Sequence, residues 1–136
     1  MIKVPIMAAV FDRIERRELE YQQELVYVDS LFYSDSDISG EFRDSATVAL
    51  SEMIMLSITR SDNTVSLWLQ ELAGTGTAIN AWLESNGFEG TRVNSRTPGR
   101  RGDWEVFGWG QTTPREMARL MEMIYTGEAV SPAASE

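Results

Sequence analysis

A chain of 136 residues has the size of one ordinary domain, because separate cores appear only in considerably longer chains. Its 43% hydrophobic and 24% charged content supports one packed core and excludes a disordered chain, while a formal charge of −9 argues against nucleic acid, whose binding needs clustered Lys and Arg. No cysteine or histidine occurs, which removes disulfides, thiolate and imidazole metal sites, and the Ser-His-Asp and Cys-His catalytic units. Acid–base chemistry would fall to Lys, Tyr or a carboxylate, and no metal or cofactor is expected. No apolar run approaches the ~20 residues of a membrane span, and no stretch has the h-region of a signal peptide.

Residues 1–14 carry Ile2, Ile6, Ala9, Val10 and Ile14 at close to helical spacing, which predicts a first helix running to about residue 17. Pro5 is tolerated only in a first turn, so this helix is expected to begin at or just before Met1. Residues 19–31 alternate loosely, with Leu25 and Tyr27 opposed to Val26 and Val28, and read as extended or irregular. Ser34-Asp35-Ser36-Asp37 and Ser39-Gly40 form a polar loop. A second helix is predicted over Leu50–Thr59, with Leu50, Met53, Ile54 and Ile58 on one face. A third is predicted over Asn63–Leu72, with Val65, Trp68, Leu69 and Leu72 apolar and Gly74 as terminator. A fourth, over 78–85, turns Ile79, Trp82 and Leu83 to the core.

Residues 88–111 are rich in Gly, Arg and polar side chains around Trp104, Val106, Phe107 and Trp109, and are expected to form one long omega-type loop. Thr113-Pro114-Arg115-Glu116 then reads as a capping box opening a helix with Met117, Leu120, Met121 and Ile124 on one face and Gly127 at its end. Ser131-Pro132 opens another helix just before the sequence stops. With the uncapped first helix, this leads us to expect a piece of a larger, two-domain protein, the alternative being frayed natural termini. Five helices and no sheet-forming pattern predict an all-α fold, a single helical domain over 1–136.

Lys3 is the only lysine; every other base is an arginine. In the first turn of a mostly apolar helix it is either an ordinary surface lysine or a desolvated amine whose lowered pKa makes it a base near neutral pH. The position three residues earlier would share its helix face, ahead of Met1. Ser61-Asp62-Asn63 lies between two helices, where it serves either as a simple N-cap or as a hydroxyl and amide able to pass a proton and bind a carbonyl. Trp68 and Trp82 read as core, and Trp104 and Trp109 as pins of the long loop. Arg92, Arg96, Arg100 and Arg101 form the one basic cluster, read as a solvated surface, a partner of the Asp35, Asp37 and Glu41 acids, or a contact for a substrate carboxylate.

Taken together these blocks resemble the class A β-lactamases and penicillin-binding proteins, whose signature set is a Ser-x-x-Lys helix start, a Ser-Asp-Asn turn and a Lys-Thr-Gly strand. Ile2-Lys3-Val4-Pro5-Ile6-Met7-Ala8-Ala9-Val10 looks like that family's nucleophile helix just after its serine. Leu50-Ser51-Glu52-Met53-Ile54-Met55 through Ser61-Asp62-Asn63-Thr64 looks like the helix delivering the Ser-Asp-Asn motif. Thr112-Thr113-Pro114-Arg115-Glu116-Met117-Ala118 through Gly127-Glu128 looks like the helix after the omega loop.

The resemblance implies the helical domain of a serine hydrolase that forms an acyl-enzyme on β-lactam or peptidoglycan-type amides. It makes Lys3 the residue that helps deprotonate the serine, Ser61 the proton relay to the leaving nitrogen, and Asn63 the ligand of the substrate amide. Three departures accompany it: the serine position precedes Met1, the Lys-Thr-Gly strand and its sheet domain are absent, and the omega loop differs. β-Lactamases carry there a glutamate four residues before an asparagine; here Asn94 has Gly90 at that offset, with Glu89 one place away. Glu89 is thus the weak candidate for a deacylating base, and a solvated loop acid is its simpler reading.

The expectations are therefore a β-lactamase-like hydrolase part, inactive alone, from an exported parent. The alternatives are a D,D-peptidase or esterase relative, or a non-enzymatic helical module. The partner is a small β-lactam or peptide-like substrate, with self-association through an exposed sheet-facing surface. The enzyme reading requires Lys3 and Ser61 to line one cleft; the module reading leaves them apart.

Overall fold

The computed structural model describes residues 1–34 and 38–136, so Asp35 and Asp37, expected as acidic partners of the arginine cluster, lie outside the described residues. Helix α3 (Asn63–Leu72) is buried continuously from Thr64 to Gln70. A helix buried on every side belongs at the centre of its domain, and α3 packs against α1 (Lys3–Glu15), α2 (Leu50–Thr59) and α4 (Thr75–Ser85). Ile6, Ala9 and Val10 of α1, Leu50, Met53 and Ile54 of α2, and Ile79 and Leu83 of α4 complete the core with Val65, Trp68 and Leu69. In α2 the fourth inward position is Ser57, not Ile58, which is 42% exposed. The Ser57 hydroxyl is satisfied at 2.8 Å by the hydroxyl of Ser66 on α3.

The chain is mostly helical, with α5 (Arg101–Phe107), α6 (Pro114–Thr126) and α7 (Pro132–Ser135) completing seven α-helices among the described residues. Two small antiparallel ribbons add to the expected helices. Strand β1 (Glu24–Val26) pairs with β2 (Thr47–Ala49), placing Leu25 opposite Val48. Strand β3 (Arg92–Val93) pairs with β4 (Gly110–Gln111). Strands of two or three residues are too short to show a period of two, which is why the sequence pattern missed them.

The stretch expected as one irregular loop is instead a ribbon stem carrying α5, a helix with no buried residue. Trp104 on α5 is 46% exposed and does not act as the expected pin, whereas Trp109 packs edge-on against Tyr33 at 5.3 Å. The basic cluster is solvated only in part: Arg96 and Arg101 are exposed, while Arg92 and Arg100 turn inward. The side chain of Arg92, 13% exposed, donates to the Phe88 carbonyl at 2.7 Å and pairs with Glu84 at 3.0 Å. Arg100 donates to Asn94 Oδ1 at 2.7 Å and pairs with Asp103.

Two buried amides seat this stretch on the helices. Asn80 of α4 exchanges two hydrogen bonds with the Val93 backbone, at 2.8 and 3.0 Å. Gln70 of α3 donates to the Ser95 carbonyl at 2.6 Å and accepts from its hydroxyl at 2.9 Å. Close approach to α4 requires Gly76, because a Cβ there would stand 1.8 Å from Thr97 Oγ1. The α4 start lies three residues ahead of the predicted one, since this packing overrides the poor helix propensity of Thr75-Gly76-Thr77.

At α6 the capping box forms by half. Thr113 Oγ1 accepts from the Glu116 amide at 3.2 Å, but the Glu116 carboxylate turns to the amides of Glu89 and Gly90, both at 2.9 Å, and to the Thr91 hydroxyl. Leu120 is the buried residue of α6 and Met121, expected inward, is 51% exposed. Ser131 caps α7 and its hydroxyl donates to Glu15 at the end of α1.

Gly76→Ala is expected to destabilise the domain by roughly 1–3 kcal/mol through overpacking against Thr97, read from urea denaturation. Burial pushes the Glu116 carboxyl up, but the hydrogen bonds from Gly90, Thr91 and Glu89 outweigh it and hold the group below its ordinary 4.5. Glu116→Gln should cost about 1–2 kcal/mol near neutral pH. A depressed carboxyl stabilises the fold above its ordinary value and loses that contribution as pH falls through the folded value. The wild-type–variant difference should therefore shrink toward zero in acid.

Candidate active site

Arg60 caps the C-terminus of α2, and Ser61 follows with φ +57°, a left-handed conformation that costs a side-chain-bearing residue about 1 kcal/mol. That reversal leaves Ser61 exposed and lets Asp62 cap α3, accepting from the Val65 amide at 3.0 Å. Asp62 is 1% exposed, and its carboxylate also accepts from the Ser39 hydroxyl at 2.6 Å and the Ser39 amide at 2.9 Å. Burial pushes this carboxyl up; the bonds from Ser39 and Val65, helped by the nearby Lys3 charge, outweigh it and hold the group below its ordinary value.

Lys3 opens α1, and its amine reaches across to the turn. Nζ lies 2.9 Å from Ser61 Oγ, 3.0 Å from Asn63 Oδ1 and 3.3 Å from the Asp62 carbonyl, and it also donates to the Ser61 carbonyl. Four acceptors compete for the three protons of an ammonium. Burial lowers the Lys3 pKa below the ordinary lysine value, against the opposing pull of the Asp62 carboxylate. The Lys3 amine thus meets the side chain of Asn63, the first residue of α3. The neutral amine of Lys3 can accept a proton from the Ser61 hydroxyl, and the ammonium can return one.

The structure therefore brings Lys3, Ser61 and Asn63 together. It joins neither omega-loop candidate to them by a hydrogen bond among the described residues. Glu89 is exposed, with its backbone amide held by Glu116. Asn94 is 2% exposed, its amide bonded to the Trp109 carbonyl. Sequence reasoning missed Ser39 and Tyr33. The Tyr33 amide donates to Thr64 Oγ1 at 2.8 Å, fixing the segment beside the Ser-Asp-Asn turn. No local pattern marks either residue, because both act through partners distant in sequence. No cluster of His, Cys, Asp or Glu able to hold a metal ion occurs among the described residues, and no helix among them is long and apolar enough to cross a membrane.

A family profile described as the beta-lactamase enzyme family matches residues 1–136. The chain belongs to this family. It is 25% identical to beta-lactamase VEB-1 of Pseudomonas aeruginosa over 130 residues, which cover 94% of this chain and 44% of that protein. A structure of PBP-A superposes with a TM-score of 0.83 at 28% identity over 98% of this chain and 48% of that one. A second PBP-A structure, of a variant, is an acyl-enzyme complex with penicillin G. The beta-lactamase from Sphaerobacter thermophilus has the same fold over half its chain, with a TM-score of 0.84 at 21% identity. The chain spans less than half the length of the curated beta-lactamase relative and about half of these solved structures, and it matches their helical part.

Because Lys3 is the sole lysine, a protein carrying 13C-labelled lysine gives one ε-carbon resonance. Its titration midpoint is expected below the ordinary 10.5, and Asp62→Asn, with folding checked by circular dichroism, should lower it further by removing the opposing carboxylate.

Proposed function

We propose that this chain is the helical wall of a serine acyl-transfer hydrolase acting on β-lactam or peptidoglycan-type amides. The observation that carries the reading is the 2.9 Å contact between Lys3 Nζ and Ser61 Oγ, made by residues 58 apart in sequence, with Asn63 beside them. A non-enzymatic module has no need of this convergence. The penicillin G acyl-enzyme of a PBP-A variant supports both the intermediate and the substrate class.

In this mechanism a serine one helical turn before Lys3, ahead of Met1 in this numbering, attacks the amide carbonyl carbon. The Lys3 amine accepts the hydroxyl proton as the C–O bond forms. The C–N bond then breaks, and the leaving nitrogen takes a proton from Ser61 Oγ, which is replenished from the Lys3 ammonium. Asn63, held beside Lys3, binds the substrate's amide side chain. Deacylation is slow, because Glu89 is exposed and its backbone is tied to Glu116, away from any role as a held base. This favours a penicillin-binding, peptidase-like enzyme over a fast β-lactamase.

The 136-residue chain alone is expected to hydrolyse nitrocefin no faster than buffer; turnover by it would overturn the assignment of the nucleophile. In a longer protein containing this chain and the preceding serine, intact-mass spectrometry after penicillin G should show a long-lived penicilloyl adduct. Lys3→Ala and Ser61→Ala should each slow its formation by about 100-fold or more. Unchanged acylation in both variants would refute the mechanism. Phe107, Met117 and Ile2 line one open groove, and Phe107 is 55% exposed. Such an apolar surface supports self-association of the isolated chain, which light scattering would register as a mass rising with concentration; a constant monomer mass would oppose it.

A further inference from the structure

The corner between α2 and α3 is closed by two hydroxyls that take no part in the proposed proton transfers. Ser57 lies four residues before Ser61 and Ser66 four residues after Asp62, so each stands one helical turn from the corner on its own arm. Both are buried, at 1% and 0% exposure, where α2 packs on α3 and an apolar side chain would need no partner. Their oxygens are 2.8 Å apart. The Ser66 proton goes to the Asp62 carbonyl at 2.5 Å, so Ser57 is the donor to Ser66. Such a pair gains little stability over two packed apolar groups, because both hydroxyls give up water. What it adds is direction.

That direction ends on an oxygen that also faces Lys3. The Asp62 carbonyl accepts from the Ser66 amide at 3.2 Å, from the Ser66 hydroxyl at 2.5 Å and from Lys3 Nζ at 3.3 Å. A carbonyl oxygen has two lone pairs, and the two Ser66 donors stand nearer than the amine. The carbonyl is thereby a poor competitor for the Lys3 protons, which have Ser61 Oγ at 2.9 Å and Asn63 Oδ1 at 3.0 Å as closer partners. The same contact ties the last turn of α2, which leads into Ser61, to the first turn of α3, which begins with Asn63.

We propose that Ser57 and Ser66 are positioning residues for the Lys3–Ser61 pair: their hydroxyl clasp sets the spacing of α2 and α3 at the corner and occupies the Asp62 carbonyl, which keeps the amine on the Ser61 hydroxyl. They act through Lys3 and Ser61, not on substrate. The catalytic consequence rests on the acyl-transfer reading, whereas the positioning itself rests on the corner alone, so the two are measured apart.

The first measurement needs no activity. In the chain carrying 13C-labelled lysine, Ser66→Ala releases the Asp62 carbonyl to the amine and loosens the corner. Both changes favour the ammonium, so the Lys3 midpoint is expected to move upward, toward the ordinary 10.5. The charge that acts on Lys3 among the described residues, that of Asp62, stays in place in these variants. Ser57→Ala should move the midpoint the same way by less. Ser57→Ala combined with Ser66→Ala orphans no hydroxyl in the core and should move it no further than Ser66→Ala alone, since the two act through one contact. Gly76→Ala, which strains the domain beside Thr97 and away from the corner, should leave it unmoved.

The second measurement uses the longer protein with the preceding serine. There Ser66→Ala and the double variant should lower the maximal rate of penicilloyl formation on the order of tenfold, at an unchanged half-saturating penicillin G concentration. The proposal is overturned by a Lys3 midpoint unmoved in both variants while circular dichroism shows them folded. An equal movement in Gly76→Ala, or a wild-type maximal rate in variants whose midpoint has shifted, overturns it too. A longer protein that penicillin G never acylates overturns the acyl-transfer reading instead, and the Lys3 midpoint still decides the positioning.

Discussion

The carboxylate of Asp62 is the constraint on which the candidate site rests. It is almost wholly enclosed, and an enclosed charge is tolerated only when its lone pairs are filled. Ser39 fills them from one side, through both hydroxyl and amide, and the first turn of α3 from the other. One side chain therefore fastens the segment around Ser39 to the central helix and sets the path of the chain between α2 and α3. The strained conformation of Ser61 persists because the next residue, Asp62, is over-determined in this way.

Lys3 is tuned by the same arrangement. Its depression comes from burial, while the Asp62 charge limits how far that depression goes.

Much of the helical frame was legible from periodicity. The limits of α2 and α3 follow from apolar spacing and from the polar Ser61-Asp62-Asn63 break between them. The convergence of Lys3 on Ser61 was not legible that way, because no local pattern links residues 58 apart; only the resemblance of three separated blocks to one family anticipated it. The stretch around Trp104 misled for a related reason. Its glycines and arginines look like a solvated loop, yet Arg92 and Arg100 bond inward to backbone and carboxamide oxygens, and the chain between them and Phe107 finds room to coil into α5. Glu116 likewise carries a capping signal whose carboxylate is diverted to a strand neighbour it could not be known to have.

The anchors of that stretch differ in kind along its length. Toward α3 and α4 it is held by neutral carboxamides, Gln70 and Asn80, in buried surroundings. Such bonds are indifferent to protons and to ionic strength. Where it leaves Phe88 its anchors are ionic, the Glu116 carboxylate on the amides of Glu89 and Gly90 and the Arg92 guanidinium on Glu84 and the Phe88 carbonyl. Unfastening is therefore directional: acidification loosens the end next to α6 first, while the aromatic-lined end stays seated until the core itself gives way.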